Sequence, residues 1–248
     1  MRTVSLGDPI IRLTSVDSTN NYAATLVHRE KASEGTVILA DLQTHGKGQG
    51  KNSWFSEKGL NLLMSIILKP DFLPAYKQFY LSMSIASGIN DCLADMGIRP
   101  LIKWPNDILI NGKKVAGILI ENTILSNNLH TSVVGIGLNV NQENFPAIIP
   151  NPVSLKLETG KTYDINQLLE KLILFIQKRL NPLYSENFTA VKSAYLNSLW
   201  LLNTRAVFTD EAGRFEGRIV DVAESGELVI VTASGETRSY GFREVEFR

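Results

Sequence analysis

The chain has 248 residues, of which 44% are hydrophobic and 20% charged, so it can bury a core as one domain or as one domain with a small companion. Lysine and arginine together number 25, as do aspartate and glutamate, which argues against a dedicated nucleic-acid-binding protein. The N-terminus lacks the apolar core of a signal peptide, and no apolar run approaches the roughly 20 residues that span a bilayer. Cys92 is the one cysteine, so no disulfide can form within the chain, which indicates a reducing compartment. We therefore expect a cytoplasmic protein without a membrane anchor, with Cys92 as a buried core residue rather than a nucleophile.

The apolar pattern up to about residue 200 predicts strands and helices in one mixed domain. DSTN at 17–20 is typical of a capped helix start, and TVILADLQ and NLLMSIILKP are apolar runs suited to buried strands, the second ended by Pro70. Residues 75–96 have the spacing of an amphipathic helix ended by Gly97. Two further helices are predicted over 165–183 and 187–199.

Two predicted hairpins and a change of sequence pattern after residue 202 complete the predicted fold. Asn111-Gly112 between apolar runs is a strong signal for a two-residue turn, and a second turn is expected across Ser126–Asn128. After residue 202, short β-type runs alternate with glycine-containing turns, which predicts four or five strands in a small barrel. The fold class is therefore α+β, with a mixed, largely antiparallel sheet and helices over residues 1–200 and a small β domain over 201–248.

The segment QTHGKGQGKNSW, from Gln43 to Trp54, is a glycine-rich loop directly after a predicted strand. Backbone N–H groups in such a flexible loop can bind an anion because no side chain blocks the approach, and Lys47 and Lys51 add positive charge. The spacings of a P-loop and of GxGxxG are both absent, so neither of those nucleotide-binding loops is predicted. The alternative is a solvated surface loop that binds nothing.

A second polar cluster lies in KWPNDILINGKKVAGILIEN. Lys103 and Lys114 flank the predicted turn, so a hairpin brings both toward one region. Asn106 and Asp107 follow Pro105 and therefore lie at a bend of the chain. Lysine for phosphate, with carboxylate and amide oxygens for a metal ion or its waters, suits a magnesium nucleotide. The alternative is a turn with exposed charges beside a core tryptophan.

A third cluster is GIGLNVN, from Gly135 to Asn141. Alternating glycines in a strand indicate that something approaches the backbone closely, although a strand end with a bulge is the alternative. The three histidines lack metal-ligand spacing, and no local signature indicates a Ser-His-Asp or Cys-His arrangement. We therefore expect chemistry that depends on positioning and charge neutralisation rather than on a covalent enzyme intermediate.

Together and in this order, these segments resemble the biotin–protein ligases. The resemblance rests on DSTN, on the glycine loop continued to Ile66, on KWPND at 103–107, on KVAGILIE at 114–121 and on GIGLNVN. It implies a biotin/lipoate ligase-like catalytic domain followed by an SH3-like β-barrel. It also implies a reaction in which the biotin carboxylate attacks the α-phosphate of Mg-ATP, pyrophosphate leaves, and a lysine of a biotin carboxyl carrier domain displaces AMP from biotinyl-5′-AMP.

The resemblance assigns roles to residues of this chain. Lys114 is the expected catalytic residue, because it matches the lysine that bridges the biotin carboxylate and the α-phosphate, and Asp107 is the expected ligand of Mg²⁺. The implied biotin-binding residues are Ser18, Thr19, Asn20, Gln43, Lys47, Gly48, Gln49, Lys114, Gly117, Gly135 and Gly137. The residues implied to bind ATP or the adenylate are Lys51, Asn52, Trp54, Lys103, Asn106, Asp107 and Asn139.

The glycine loop departs from the common family pattern G-R-G-R-x-G-R-x-W. Lys47 keeps the positive charge of the first arginine of the pattern but cannot make the two parallel hydrogen bonds of a guanidinium group. Gln49 and Asn52 replace arginines with neutral side chains. We therefore expect either weaker retention of the adenylate or compensation by Lys51 and Lys114.

Several alternatives stay open at the level of sequence. A lipoate or octanoate ligase shares the catalytic fold, although KWPND and the C-terminal β domain favour biotin, and a sensor of biotinyl-AMP without turnover is a rival of another class.

Some family members carry an N-terminal DNA-binding domain and act as repressors. Here the STN motif begins at residue 18, which leaves no room for a helix-turn-helix, so we expect no DNA binding. Homodimer formation through a sheet edge is left open.

Overall fold

The computed structural model describes residues 2–50 and 52–248. Its larger sheet has seven strands in the order β1-β2-β3-β7-β6-β5-β4, and every neighbouring pair is antiparallel except the parallel pair β1–β2. The strands are β1 (Ile10–Leu13), β2 (Val37–Ala40), β3 (Leu62–Leu68), β4 (Pro100–Lys103), β5 (Asp107–Ile110), β6 (Lys113–Leu125) and β7 (Asn128–Leu138).

Helices cover both faces of this sheet, which is why all seven residues of β3 are buried. The helices are α1 (Thr19–His28), α2 (Phe79–Asp95), α3 (Leu155–Thr159), α4 (Ile165–Tyr184) and α5 (Phe188–Asn197). On one face, α1 packs Ala23 against Ile38, Ile67 and Val133. On the other face, α2, α4 and α5 enclose the main core. A Cβ at Gly88 of α2 would lie 2.7 Å from the backbone of Ile176 in α4, so these two helices are in close contact.

The predicted turns are confirmed by the backbone. Asn111 and Gly112 both have positive φ, 49° and 76°, as a type I′ turn requires, and the turn joins Ile110 to Lys113. The second hairpin pairs Leu125 with Asn128. In both places a short turn fixes the register, and the register determines which side chains of β6 and β7 face the same side.

Residues after 202 form a second antiparallel sheet in the order β11-β10-β9-β8-β12. Its strands are β8 (Arg205–Asp210), β9 (Gly213–Val222), β10 (Leu228–Thr232), β11 (Thr237–Tyr240) and β12 (Glu246–Phe247). The predicted fold class is therefore confirmed. The division at residue 200 stays a prediction, because one continuous core contains buried side chains from both sheets.

The structure differs from the elements predicted from the sequence at three helices and one strand. Ser18 is the N-cap residue of α1, but its side chain makes no capping hydrogen bond, so the helix starts where predicted without the predicted cap. The predicted helix over 75–96 begins instead with a 3₁₀ turn at Ala75–Lys77 before α2. The four-residue β1 and the five-residue α3 were not predicted, because such short segments carry too little periodicity. None of the described helices is both long enough and apolar enough to cross a membrane.

Candidate active site

An open cleft lies between the start of α1, the glycine loop and the paired strands β6 and β7. Four apolar residues contribute to its lining: Met64, Ile118, Leu119 and Ile136. The structure also brings most of the predicted site residues to this cleft, namely Ser18, Thr19, Asn20, Gln43, Lys47, Gly48, Gln49, Trp54, Asn106, Lys114, Gly117, Gly135 and Gly137.

The inner end of the cleft is a network of amides and hydroxyls. Gln43 Oε1 accepts hydrogen bonds from the backbone N–H of Thr19 at 2.8 Å and from its hydroxyl at 3.0 Å. Ser65 Oγ lies 2.8 Å from Thr19 Oγ1 and 2.6 Å from Asn20 Oδ1. Asn20 Nδ2 donates to Glu121 Oε2 at 2.7 Å. Each polar side chain is therefore held by another, which fixes the directions in which the network can donate and accept.

Ser65 and Glu121 are the residues of this network that the sequence reasoning missed. Ser65 is fully buried and is the polar residue within the apolar strand β3. Glu121 ends the apolar run of β6 and also faces Lys47, whose Nζ lies 3.3 Å from Glu121 Oε1. The available signal was a polar residue inside an apolar run for Ser65 and a charged residue directly after one for Glu121.

The wall of the cleft is made of glycines, as the alternating pattern predicted. Gly117 of β6 pairs with Gly137 of β7, and a Cβ at Gly137 would lie 2.4 Å from Cε2 of Trp54. A Cβ at Gly117 would lie 3.0 Å from Trp54 Cζ3, and a Cβ at Gly135 would lie 2.4 Å from Asn20 Oδ1. The close approach that the glycines allow is therefore made by side chains of the chain itself.

The glycine loop is an ordered hairpin, hereafter the glycine hairpin (residues 46–54; Lys51 lies outside the described residues). Gly48 N–H donates to Asn52 O at 2.8 Å, and Trp54 N–H donates to Gly46 O at 2.8 Å. An isolated antiparallel bridge links Lys47 and Ser53. The hairpin places the Trp54 indole in the cleft. The prediction that Lys51 binds the adenylate falls outside the described residues.

Lys114 lies at the rim of the cleft beside Asp107. Its Nζ is 2.6 Å from Asp107 Oδ1 and 5.6 Å from the centroid of the Trp54 ring. The two side chains are 35% and 24% exposed, so a ligand in the cleft can reach the ammonium group. Asn106, just before β5, donates from Nδ2 to Ile118 O at 2.7 Å, which ties the bend after KWP to β6. The positions of Lys114 and Asp107 are thus set by adjacent strands.

Asp107 lies beside Lys114 at the rim without lining the cleft itself, and three further predicted nucleotide-binding residues do not line it either. Lys103 points to the C-terminal sheet, with Nζ 5.6 Å from the Trp200 ring and 5.1 Å from the Phe247 ring. Asn139 is buried and donates from Nδ2 to Val153 O at 3.0 Å. Asn52 contributes its backbone to the hairpin. Side chains alternate along a strand, so a motif alone does not decide which residues face a ligand. Their assignment to the nucleotide stays a prediction.

The remaining titratable candidates lie away from the cleft or form no cluster. Cys92 is completely buried in α2, and burial raises the pKa of its thiol to about 12, so the prediction of a core residue is confirmed. Within residues 2–50 and 52–248, no group of three His, Cys, Asp or Glu side chains is arranged to hold a metal ion. A magnesium ion bound to a nucleotide needs only one or two protein carboxylates, so the assignment of Asp107 to such an ion stays a prediction.

A mixed sheet that presents a polar cleft, with a lysine at its rim and a hairpin over it, is the architecture of a family of ligases. Residues 13–139 match the model of the Biotin/lipoate A/B protein ligase family, and the chain belongs to this family. Among its relatives, the Bifunctional ligase/repressor BirA of Bacillus subtilis is 32% identical over 247 residues, which cover 97% of this chain and 74% of that protein. The Biotin--[acetyl-CoA-carboxylase] ligase of Paracoccus denitrificans is 29% identical over 230 residues, covering 90% and 94%.

The fold comparison agrees with the sequence comparison. The biotin protein ligase from Aquifex aeolicus in complex with biotin and ATP matches with a TM-score of 0.79 and 29% identity, over 96% of this chain and 98% of that chain. The resemblance to biotin–protein ligases, the fold class and the enzyme class predicted from the sequence are thereby confirmed.

Proposed function

We propose that this ligase uses ATP to attach biotin to a specific lysine of a biotin carboxyl carrier domain, through enzyme-bound biotinyl-5′-AMP. The observation that carries the proposal is the Lys114 ammonium, held 2.6 Å from Asp107 at the rim of a cleft lined by amides and glycines. The relative from Paracoccus denitrificans is named for the acetyl-CoA carboxylase that it modifies, and the Aquifex aeolicus structure contains biotin and ATP.

The cleft suits the biotin molecule at both of its ends. The ureido ring has N–H donors and a carbonyl acceptor, which match the hydroxyls and amides of Ser18, Thr19, Asn20 and Gln43. The thioether ring and the valeryl chain are apolar, and the apolar side chains of the cleft lining can cover them. The carboxylate at the end of that chain would then reach the rim where Lys114 lies.

Lys114 offsets the repulsion between the two anions that must react. In the first step a biotin carboxylate oxygen forms a bond to the α-phosphorus, and the bond from that phosphorus to the pyrophosphate oxygen breaks. An ammonium group fixed beside both groups stabilises the negative charge that builds up there, and Asp107 keeps the ammonium in place. Mg²⁺ enters with ATP as part of the substrate.

The second step needs protection of the adenylate from water. The amine of the carrier lysine attacks the acyl carbon of the mixed anhydride, the bond to the phosphate oxygen breaks, and AMP leaves. Until the carrier arrives, water can attack the same carbon. The glycine hairpin, which places Trp54 in the cleft and Lys47 beside Glu121, is the element that can cover the intermediate.

The first test is biotin-dependent exchange of pyrophosphate into ATP. We expect wild-type protein to catalyse exchange with biotin and not with lipoate. Lys114→Ala should lower the rate by about 100- to 1,000-fold, because it removes a charge that acts on the transition state. Lys113→Ala is the matched control, since Lys113 is the exposed neighbour on the opposite side of β6, and it should leave exchange unchanged.

Other outcomes of this test would contradict the proposal. Exchange with lipoate alone would make the protein a lipoate ligase of the same fold. Biotin binding without exchange would favour a sensor. If exchange occurs, transfer of label to a purified biotin carboxyl carrier domain tests the second step. Cytoplasmic location, lack of DNA binding and homodimer formation stay predictions, to be checked by fractionation, mobility shift and sedimentation.

A further inference from the structure

An arginine from the C-terminal sheet domain contacts the tip of the glycine hairpin. Arg243 Nη2 donates a hydrogen bond to Gln49 O at 2.9 Å, across 194 positions of the chain. The same carbonyl accepts a hydrogen bond from Asn52 N–H at 3.3 Å, so it belongs to the turn of the hairpin itself. Arg243 therefore binds the hairpin through the backbone group that closes its turn.

Gly50 makes this contact sterically feasible. A Cβ at Gly50 would lie 1.9 Å from Arg243 Nη2 and 2.6 Å from its Cζ, so a side chain there would overlap with the guanidinium. Gly50 also has a φ of +68°, which L-residues rarely adopt. The tip of the hairpin and the arginine thus fit each other closely.

Arg243 occupies a strained backbone conformation. Its φ of +70° lies in the left-handed region, which is costly for a residue with a long side chain. Strain of this kind persists where the surrounding structure enforces it, and it is concentrated at functional positions. Here Phe242 anchors the turn, with its ring 5.5 Å from Trp104 and 6.0 Å from Phe79. Within the described part of the chain, Arg243 forms no ion pair.

We propose that Arg243 is a positioning residue that holds the glycine hairpin closed over the cleft and so slows the escape of the adenylate. The hairpin carries Gln49 and Asn52 where the family pattern has arginines, and Arg243 provides a tether for it from the other domain. The proposal rests on the proposed function, because the adenylate is the molecule that the closed hairpin would retain. It assigns to the C-terminal domain a direct role in closing the cleft.

The test compares Arg243→Gly, Arg243→Lys and the control Arg214→Ala. Glycine removes the contact and relieves the left-handed strain, so this variant should not melt at a lower temperature than wild type. Enzyme loaded with radiolabelled biotinyl-AMP is chased with unlabelled biotin and ATP, and bound label is followed over time. We expect release about five- to tenfold faster in Arg243→Gly, because a charge-assisted hydrogen bond is lost, and an intermediate rate in Arg243→Lys. Arg214 is an exposed arginine of β9, and its variant should release at the wild-type rate.

Amide hydrogen exchange gives a second measurement that does not need the adenylate. The N–H groups of Gly48 and Trp54, which close the hairpin, should exchange several-fold faster in Arg243→Gly and at the wild-type rate in Arg214→Ala. If wild type retains the adenylate and Arg243→Gly releases it no faster, the proposal is wrong. If wild type makes no adenylate, the proposed function fails, and unchanged hydrogen exchange in Arg243→Gly would then overturn the tether as well.

Discussion

Two sets of glycines meet at the cleft, one in strands β6 and β7 and one in the glycine hairpin. In the strands, Gly117, Gly135 and Gly137 have no left-handed backbone, and the missing Cβ makes room for Trp54 and Asn20. In the hairpin, Gly50 alone combines a left-handed φ with a close contact, while a Cβ at Gly46 would lie 2.5 Å from Trp54 O. Both sets therefore serve close packing, and the hairpin glycines do not by themselves indicate mobility.

The largest expected effect comes from filling the strand wall. Gly137→Ala would place a Cβ 2.4 Å from the indole of Trp54, so either the indole or the strand must move. We expect kcat/KM for biotin in pyrophosphate exchange to fall about 10- to 100-fold, as for overpacking that costs about 1–3 kcal/mol. Gly117→Ala is a graded comparison with a smaller expected loss, because its Cβ would lie 3.0 Å from the edge of the same ring and 3.2 Å from the flexible Lys114 side chain at Cε. Equal losses in the two variants would show that the wall is not filled as described.

A smaller effect is expected at Gly135, which lies two residues before Gly137 in β7. Gly135→Ala would displace Asn20 and weaken its hydrogen bond to Glu121, without contact to Trp54. Loss of one or two hydrogen bonds should raise KM for biotin about 3- to 30-fold with little change in kcat. Ser65→Ala removes a hydroxyl partner of Asn20 without adding volume and should show a fraction of that increase. A change confined to kcat would mean that Asn20 does not position biotin.

The smallest effects should separate two glycines of the hairpin. A Cβ at Gly46 meets the backbone oxygen of Trp54 at 2.5 Å, while a Cβ at Gly48 meets Asn52 Cβ at 3.2 Å. We expect Gly46→Ala to speed release of biotinyl-AMP about threefold, since a Cβ this close to a backbone oxygen forces the two strands of the hairpin apart. Gly48→Ala should stay within about twofold of wild type, because its tight contacts with Asn52 Cβ and Asn52 O, both at 3.2 Å, need a smaller shift than the contact at Gly46. If the two variants behave alike, the hairpin is looser than its packing indicates.

The largely antiparallel character of the sheet and most residues that line the cleft could be predicted, because local signals and the order of the motifs agreed. Asn111-Gly112 fixed one hairpin, and that hairpin set the positions of Lys114 and Gly117 on β6. The alternating glycines of β7 indicated a close approach before the approaching side chains were known. What each residue faces was harder to predict: the side chains of Lys103 and Asn139 contact the Trp200 ring and Val153 O rather than the cleft, and their assignment to a nucleotide stays a prediction.

Contacts between distant segments could not be predicted from one sequence. Arg243 and Gln49 are brought together by the docking of the second sheet, and no periodicity or spacing records that contact. Ser65 and Glu121 join the amide network through pairing among β3, β7 and β6. The absent cap at Ser18 has a similar origin, because Ser18 lines the cleft and its neighbours Thr19 and Asn20 are bonded to Ser65 of β3 and Glu121 of β6.

Trp104 of the KWPND motif is 3% exposed, and its Nε1 donates to the carbonyl of Gly226 at 2.8 Å. Its ring packs against Phe242, and Phe79 touches both Phe242 and Gly226. The second sheet therefore completes the interior of the first domain and is not a detachable appendage. A truncated chain that ended near residue 200 would leave the Trp104 indole N–H without its acceptor and would expose the rings of Trp104 and Phe79. We therefore expect the two sheets to unfold together, as a single thermal transition of the whole chain would show.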